Sequence, residues 1–202
     1  MMRHLIAILR GVEPHEAAAM AEVLVDAGIT RIEVPLNSPD PLTSIRNMIA
    51  AVGDRAELGA GTVLTTKDVA AVKETGATFV VSPNCDVQVI RCTKTLGMAS
   101  YPGVFTPSEC FDALKTGADA LKLFPAGMAG TDGLKAMRAI LPAGTLVYAV
   151  GGADASNFAE WAAASADGFG LGSSLFKPGM GVADVAERAA ITVAAYDEVY
   201  NG

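Results

Sequence analysis

The sequence predicts a closed (β/α)8 TIM barrel, and three observations support this prediction. Short apolar runs of strand length recur along the 202 residues at a spacing of roughly 20–26 residues, the size of one strand-plus-helix unit. Alanine-rich segments of helical periodicity, such as 16–27 and 183–196, lie between them. Turn and cap residues mark the boundaries. Eight complete units favour closure over the alternative, an open doubly wound sheet. The predicted strands are residues 5–9, 31–35, 57–61, 79–82, 99–102, 120–124, 146–150 and 168–171.

The helix boundaries carry their own sequence signals. Residues 106–109, TPSE, combine a threonine N-cap, a proline in the first turn and a glutamate three positions on, which is a capping box. Asp154 or Ser156 is the expected start of the helical segment that runs through Trp161. Four glycines each follow a helical segment and precede a strand, where a left-handed C-cap is expected: Gly28, Gly76, Gly97 and Gly117.

The composition fits a single domain over residues 1–202. Half of the residues, 51%, are hydrophobic and 18% are charged, which is enough for a sizeable core. The net charge of −7 and the lack of a basic cluster argue against nucleic acid and anionic membrane surfaces as partners. The apolar run within residues 1–10 is too short for a signal peptide or a membrane span.

The cysteines and histidines argue against disulfides and metals. The three cysteines, Cys85, Cys92 and Cys110, are an odd number without a Cys-x-x-Cys pair, which fits a reducing cytosol and a cytoplasmic location. The two histidines, His4 and His15, are both near the N-terminus, so we expect surface or packing roles and no metal site.

Lys122 is the residue whose position most strongly suggests chemistry. It lies inside the apolar run ALKLFP at residues 120–125, where a charged ammonium is rarely buried without a partner. Burial disfavours the charged form, and a neutral lysine can form a Schiff base with a carbonyl substrate. The alternative is a strand-end lysine that points into solvent.

Glu33 and Arg10 are candidates to work beside Lys122. The alternation of residues 31–37 places Ile32 and Val34 on one face of a strand and Glu33 on the other. One face of a barrel strand lies under helices and the other fills the interior, and a carboxyl group that points inward beside Lys122 is a candidate general acid and base. A structural ion pair with Lys122 or Arg10 is the other reading. Arg10 ends the first predicted strand and could hold a carboxylate or phosphate, unless it is a surface arginine.

Glycines and polar groups follow the predicted strands at their carboxyl ends, where the chemistry of this fold is located. Gly151-Gly152 and Gly172-Ser173 follow the last two strands, the usual phosphate position, although glycine pairs also serve as plain turns. Residues 168–172, GFGLG, do not form a GxGxxG fingerprint, so no dinucleotide is predicted.

Six motifs together resemble the bacterial 2-keto-3-deoxy-6-phosphogluconate and -galactonate aldolases, which are class I, Schiff-base enzymes. The resemblance covers nearly the whole chain. The motifs are ILRG at 8–11, IEVPLNSP at 32–39, GAGTVL at 59–64, SPN at 82–84, LKLFP at 121–125 and AVGG at 149–152.

The resemblance implies a role for each site residue. Lys122 would form the imine and Glu33 would move protons. Arg10 and Thr62 would hold the substrate carboxylate, and Pro83 would line the pocket. Gly151, Gly152 and the Gly172-Ser173 turn would bind the phosphate. The implied substrate is a phosphorylated keto sugar acid, with no cofactor and no metal, and the implied assembly is a homotrimer.

Two positions bear on which sugar acid is used. Gluconate-type members resemble one another in carrying an arginine four residues after the glutamate and a threonine before the glycine pair. Here those positions are Asn37 and Val150, which look like the galactonate branch. A hydroxyl directed at Val150 would lose a hydrogen bond, at a cost of about 1–3 kcal/mol. The loop 126–130, AGMAG, departs from the branch.

The predicted reaction is cleavage of 2-dehydro-3-deoxy-6-phospho-D-galactonate to pyruvate and D-glyceraldehyde 3-phosphate. The gluconate epimer is the nearest alternative, alone or together with the galactonate. Two further alternatives are a sugar-phosphate isomerase or epimerase, which would need no lysine inside a strand, and a catalytically silent barrel that only binds a sugar phosphate.

Overall fold

The computed structural model describes residues 3–200, which form nine strands and eight helices. The strands are β1 Leu5–Ile8, β2 Arg31–Pro35, β3 Glu57–Gly61, β4 Phe79–Val81, β5 Ala99–Tyr101, β6 Gly103–Val104, β7 Leu121–Leu123, β8 Val147–Val150 and β9 Gly168–Leu171. The helices are α1 Pro14–Ala27, α2 Pro41–Val52, α3 Thr66–Lys73, α4 Val87–Thr95, α5 Pro107–Thr116, α6 Ala126–Arg138, α7 Phe158–Ala163 and α8 Val182–Tyr200.

The sheet is parallel throughout and closes into the predicted barrel. Its strand order is β5-β4-β3-β2-β1-β9-β8-β7-β6, so its two ends are consecutive pieces of chain. Only Pro102 separates them. β5 pairs with β4, β6 pairs with β7, and the Pro102 carbonyl accepts from the Lys122 N–H at 2.9 Å. The prediction of one strand over 99–102 is therefore corrected to two short pieces, because proline has no N–H to give to the ladder.

Two apolar layers follow from the alternation of side chains along each strand. Leu5 and Ala7 of β1 belong to the large layer between the sheet and the helices. Ile6 and Ile8 belong to a smaller cluster inside the ring, with Phe79, Tyr101, Tyr148 and Val150. In register, Glu33 pairs with Ile8 and Lys122 pairs with Tyr148. Register partners share a face, so both ionisable side chains point into the ring, as predicted for Glu33.

A paired polar network closes the amino-terminal end of the ring. Arg31 starts β2, where it forms an ion pair with Glu57 at the start of β3. Its Nη1 donates to the Tyr148 hydroxyl at 3.1 Å. The same hydroxyl lies 2.7 Å from Nδ1 of His4, which confirms a packing role for this histidine. The Tyr101 ring stacks on Tyr148, with a centroid distance of 6.0 Å.

The predicted helix signals are confirmed with one exception. All four cap glycines have positive φ, between 73° and 99°, and the capping box of Thr106 and Glu109 is present. Neither Asp154 nor Ser156 starts α7, which begins at Phe158 with Asn157 at its N-cap. The Asp154 carboxylate instead accepts from the Ser156 N–H at 2.8 Å and closes the preceding turn.

Other boundaries differ from the predictions by a few residues. The helices predicted over 16–27 and 183–196 are α1 and α8, which extend further. Residues 126–130 form the start of α6, which is interrupted at Gly130. None of the helices within residues 3–200 is long and apolar enough to cross a membrane. A single domain over 1–202 stays a prediction, and residues 1, 2, 201 and 202 lie outside the described residues.

Candidate active site

A cavity of about 250 Å³ opens at the carboxyl ends of the strands, where the fold predicts the chemistry. Ten of the eleven site residues predicted from the sequence line it, and Asn37 contacts Arg10 from the rim. The ten are Arg10, Glu33, Thr62, Pro83, Lys122, Val150, Gly151, Gly152, Gly172 and Ser173. The structure thus brings together residues from seven strands, β1 to β4 and β7 to β9, or from the loops that follow them. Their individual roles stay predictions.

Lys122 is the central residue of β7 and lies at the floor of the cavity. The residue is only 8% exposed, so the alternative of a solvent-facing lysine is wrong. Burial lowers the pKa of its amine below the usual value. The Glu33 carboxylate opposes that change, and the Arg10 cation adds to it. An amine in this environment is neutral at a lower pH than a surface lysine, which is the form that attacks a carbonyl.

Glu33 lies in the same cavity and is 2% exposed. Burial raises the pKa of its carboxyl to about 7, against the opposing charges of Lys122 and Arg10. Its Oε2 atom is fully buried and has no hydrogen-bond partner within residues 3–200. A carboxyl that titrates near neutral pH can both accept and donate a proton, as a general acid and base must.

Gly61 makes room for the Glu33 carboxyl group, and sequence reasoning did not identify this role. A Cβ atom at position 61 would lie 1.6 Å from Glu33 Oε2. Gly59 plays the same part lower in β3, since a Cβ there would lie 2.6 Å from the Phe79 ring. The signal was present in the GAG sequence of β3, because glycine inside a strand indicates a close approach by another group.

Arg10 lies at the mouth of the cavity and is exposed, yet it is held in place. Its Nη1 donates to Asn37 Oδ1, and its Nη2 donates to Thr62 Oγ1 at 3.4 Å. Thr62 has a left-handed backbone with φ 56° directly after β3. The guanidinium is thereby oriented over the cavity, which suits it to bind an anion through two parallel hydrogen bonds.

The two glycine loops after β8 and β9 form the opposite wall. Gly151 and Gly152 have φ values of 82° and 95°, which other residues rarely adopt. The Gly127 N–H donates to the Gly151 carbonyl at 2.7 Å. Arg188 of α8 donates to the carbonyls of Ser173 and Ser174, at 3.4 and 3.2 Å. These bonds fix loops whose position in the fold suits a phosphate.

Six more residues line the cavity that sequence reasoning did not name as site residues: Ile8, Phe124, Ala153, Asp154, Gly170 and Ser174. Phe124 belongs to the LKLFP motif, and its spacing of two from Lys122 would have placed both side chains on the same face. Within residues 3–200, no group of three or more histidine, cysteine or acidic side chains is arranged to hold a metal ion.

Fold and cavity together define the class: a (β/α)8-barrel protein with a buried amine and a buried carboxyl group at its catalytic end. The chain belongs to the KDPG and KHG aldolase family, whose model matches residues 2–191. This agrees with the resemblance that the sequence motifs indicate.

Individual relatives are similar along the whole chain. A protein of Rhizobium meliloti (strain 1021), named probable 2-dehydro-3-deoxy-6-phosphogalactonate aldolase, is 50% identical over 202 residues, which is all of this chain and 95% of that protein. A solved structure described as native KDPGal has a TM-score of 0.96 and 44% identity, covering 98% of this chain and 96% of that one. A Legionella pneumophila KDPG aldolase, solved with pyruvate captured as a covalent carbinolamine intermediate, has a TM-score of 0.83 and 26% identity, with 98% and 94% covered.

Proposed function

We propose that this protein is a class I aldolase that cleaves 2-dehydro-3-deoxy-6-phospho-D-galactonate into pyruvate and D-glyceraldehyde 3-phosphate. The observation that carries the proposal is that Lys122, a residue only 8% exposed, lines the same cavity as the Glu33 carboxyl group. The name of the Rhizobium meliloti relative supports the galactonate substrate. The covalent carbinolamine in the Legionella pneumophila enzyme supports a covalent route through a lysine.

The cavity walls suit the two anionic ends of this substrate. Arg10, held by Asn37 and Thr62, faces the cavity from one side and would bind the carboxylate. Gly151, Gly152 and Ser173 form the other side and would bind the phosphate through backbone N–H groups. A substrate bound at both ends would have its keto carbon next to the Lys122 amine. Holding the two reacting atoms together makes the attack effectively unimolecular.

Imine formation comes first. The neutral Lys122 amine attacks the C2 carbonyl carbon, and a proton moves from the attacking nitrogen to the carbonyl oxygen to give a carbinolamine. Glu33 in its protonated form donates a proton to the departing hydroxyl, and water leaves. The product is a protonated imine between Lys122 and C2. Its positive charge draws electrons away from the neighbouring C3–C4 bond.

Cleavage and release follow. Glu33, now a carboxylate, accepts the C4 hydroxyl proton, directly or through a water molecule. The electrons of the C3–C4 bond move to the imine, and D-glyceraldehyde 3-phosphate leaves. The protonated Glu33 donates its proton to C3 of the enamine that remains. Water then adds to the imine carbon, Glu33 accepts the proton that this step releases, and pyruvate and the neutral Lys122 amine separate. A carboxyl group with a pKa of about 7 serves these proton transfers.

Borohydride trapping tests this mechanism directly. Incubation with pyruvate and borohydride should add the mass of a reduced pyruvyl group, and peptide mapping should place it on Lys122. Activity should survive EDTA, because the protonated imine supplies the polarisation. A wild-type protein that cleaves the substrate without a trappable adduct would rule out the Schiff base, and isomerase or epimerase activity without trapping would favour that alternative.

Val150 is the residue that favours the galactonate over the gluconate epimer. It is the last residue of β8, lines the cavity and is 6% exposed, so it presents only methyl groups to a substrate. We expect Val150→Thr to shift the ratio of kcat/KM toward the gluconate epimer by about tenfold, the value of one hydrogen bond in a buried site. Val150→Ala is the matched control, since it removes methyl groups without adding a hydroxyl. An unchanged ratio in Val150→Thr would show that specificity arises elsewhere.

The assembly and the location are proposed as the family resemblance implies, a homotrimer in the cytoplasm. Exposed apolar side chains at Leu64, Val87 and Phe105 support an interface, because they lie on neighbouring units of the barrel. Light scattering should give three times the 20.7 kDa chain mass, and a monomer at working concentration would contradict the trimer. The three cysteines are free, which fits a reducing compartment.

A further inference from the structure

Phe124 was not among the site residues predicted from the sequence, yet its ring lies next to the Lys122 side-chain nitrogen. It follows β7 two residues after Lys122, so both side chains point into the cavity. The Lys122 Nζ atom lies over the face of the ring, 4.7 Å from its centroid. A cation within about 6 Å of a ring centroid is attracted by the negative face of the ring, more so where water is excluded.

The ring is held in this orientation by the glycine loop behind it. A Cβ atom at position 151 would lie 3.4 Å from the ring Cε2 atom, so the ring packs against bare backbone. The Gly151 carbonyl accepts from the Gly127 N–H at 2.7 Å, which ties this loop to the start of α6. A ring fixed on one side by backbone presents a constant face to Lys122.

Lys122 has little other direct support for a positive charge. The ion pairs found within residues 3–200 do not include it. Glu33 acts on it through the cavity but is not in ion-pair contact, and Arg10 is a cation of the same sign. A nitrogen that becomes positive at this position is therefore stabilised by the Glu33 charge across the cavity and, in direct contact, by the ring.

We propose that Phe124 is a catalytic residue that stabilises the positive charge on the Lys122 nitrogen in the protonated imine. This inference rests on the proposed Schiff-base function and deepens it. The imine nitrogen remains attached to the lysine chain, so its charge stays in front of the same ring face through carbinolamine dehydration and C3–C4 cleavage. Electrostatic stabilisation by a fixed group costs no reorganisation at the moment of reaction.

This role of Phe124 depends on pH, because the free Lys122 amine changes its charge with pH while the protonated imine stays cationic. Below the pKa of Lys122 the free ammonium and the protonated imine are both cationic, so the ring stabilises both and the imine equilibrium does not change. Above that pKa the free amine is neutral, and only the imine gains from the ring. Weakening the ring face should therefore lower the pKa of the free amine and reduce imine formation only on the alkaline side.

A fluorination series at position 124 tests this without changing the shape of the side chain. Phenylalanine is replaced by its 4-fluoro, 3,5-difluoro and 3,4,5-trifluoro forms, which progressively weaken the negative face. Two quantities are measured: the pKa of Lys122 from the 13Cε shift of labelled lysine, and the fraction of imine trapped by cyanoborohydride at fixed pyruvate. The same series at Phe111, half-buried on α5, is the matched control.

We expect the Lys122 midpoint to fall stepwise, by about half to one and a half pH units across the series, and the alkaline trapped fraction to fall about 3- to 30-fold. The acidic trapped fraction should not change. A purely structural role predicts the opposite direction, because looser packing admits water and raises the Lys122 pKa. Phe124→Leu, which keeps an apolar side chain but has no ring, should act as the extreme member of the series.

The outcomes separate this inference from the proposed function. Absence of trapping in the wild type would overturn the Schiff base itself, and the NMR midpoint would still report whether the ring contacts the amine. Normal trapping with a flat fluorination series, or a rising midpoint, would overturn the role of Phe124 and leave the aldolase mechanism intact.

Discussion

The two ends of the barrel both bury polar groups, but they do so in opposite ways. At the amino-terminal end Arg31, Glu57, Tyr148 and His4 satisfy one another with hydrogen bonds and an ion pair. At the carboxyl end the buried Glu33 Oε2 has no hydrogen-bond partner within residues 3–200. A satisfied network stabilises a fold, whereas an unsatisfied buried carboxyl group costs stability and shifts its pKa. The amino-terminal end of the barrel therefore contributes to stability, whereas the carboxyl end is arranged for chemistry.

The largest expected effect is at Lys122. Lys122→Ala removes the nucleophile, so we expect kcat for pyruvate release to fall at least about 10⁴-fold. A coupled lactate dehydrogenase assay measures this. Lys135→Ala is the matched control, because Lys135 lies exposed on α6. Retained turnover in Lys122→Ala, or unchanged biological effect with unchanged ligand affinity, would favour a barrel that only binds sugar phosphates.

Glu33→Gln should cost activity and gain stability. We expect kcat to fall about 10²- to 10⁴-fold, and the kcat/KM profile to lose its limb near pH 7. Because the folded pKa is raised from 4.5 to about 7, Glu33 costs no stability below pH 4.5, and the cost grows as pH rises to 7. Glutamine removes that cost, so urea unfolding at pH 8 should show a gain of up to about 3 kcal/mol. The gain should vanish at pH 4, and a loss at pH 8 would contradict the unsatisfied carboxyl group.

Gly61→Ala tests the space for that carboxyl group. The added Cβ would displace the Glu33 carboxyl from its position, and a shift of about 1 Å at a catalytic group costs about 10²-fold in kcat. Gly181→Ala is the control, since its Cβ meets the nearest atom at an ordinary 3.5 Å. Circular dichroism checks that both variants fold. A fully active Gly61→Ala would mean that the position of Glu33 is not critical.

Tyr148→Phe probes the opposite end and should show the smallest effect on activity. Loss of the hydroxyl leaves His4 and Arg31 without one partner each, so we expect unfolding to become easier by about 1–3 kcal/mol. Activity below the unfolding transition should change less than about threefold. A large loss of kcat with unchanged stability would mean that the lower network takes part in the chemistry after all.

The sequence predicted the local structure well where local physics decides it. Positive φ at Gly28 or the capping box at Thr106 depend on a few neighbouring residues, and both are present. The predicted start of α7 was wrong. Aspartate and asparagine are both favoured at a helix N-cap, and only the packing of the turn selects Asn157 over Asp154. The division of the fifth predicted strand at Pro102 was missed. It arises because β5 pairs with β4 and β6 pairs with β7, which only the closed sheet shows.

The candidate site divides in the same way. Period-2 alternation placed Glu33 on the face of its strand opposite Ile32 and Val34, and the position of Lys122 in an apolar strand indicated its burial. The sequence could not show that Gly61 makes room for Glu33, that Asn37 orients Arg10, or that the Phe124 ring faces Lys122. The family resemblance identified Asn37 as a site residue, but it did not predict the hydrogen bond that Asn37 accepts from Arg10.

By itself the sequence determined the order of strands and helices, the alternation that separates Glu33 from Ile32 and Val34, and the presence of a lysine within an apolar strand. These follow from short-range periodicity and from which residues tolerate burial. Only the tertiary structure decided how near these groups come to one another and which of them lack partners. Ring closure sets those distances between residues far apart in the chain, and pKa values and reactivity depend on the distances.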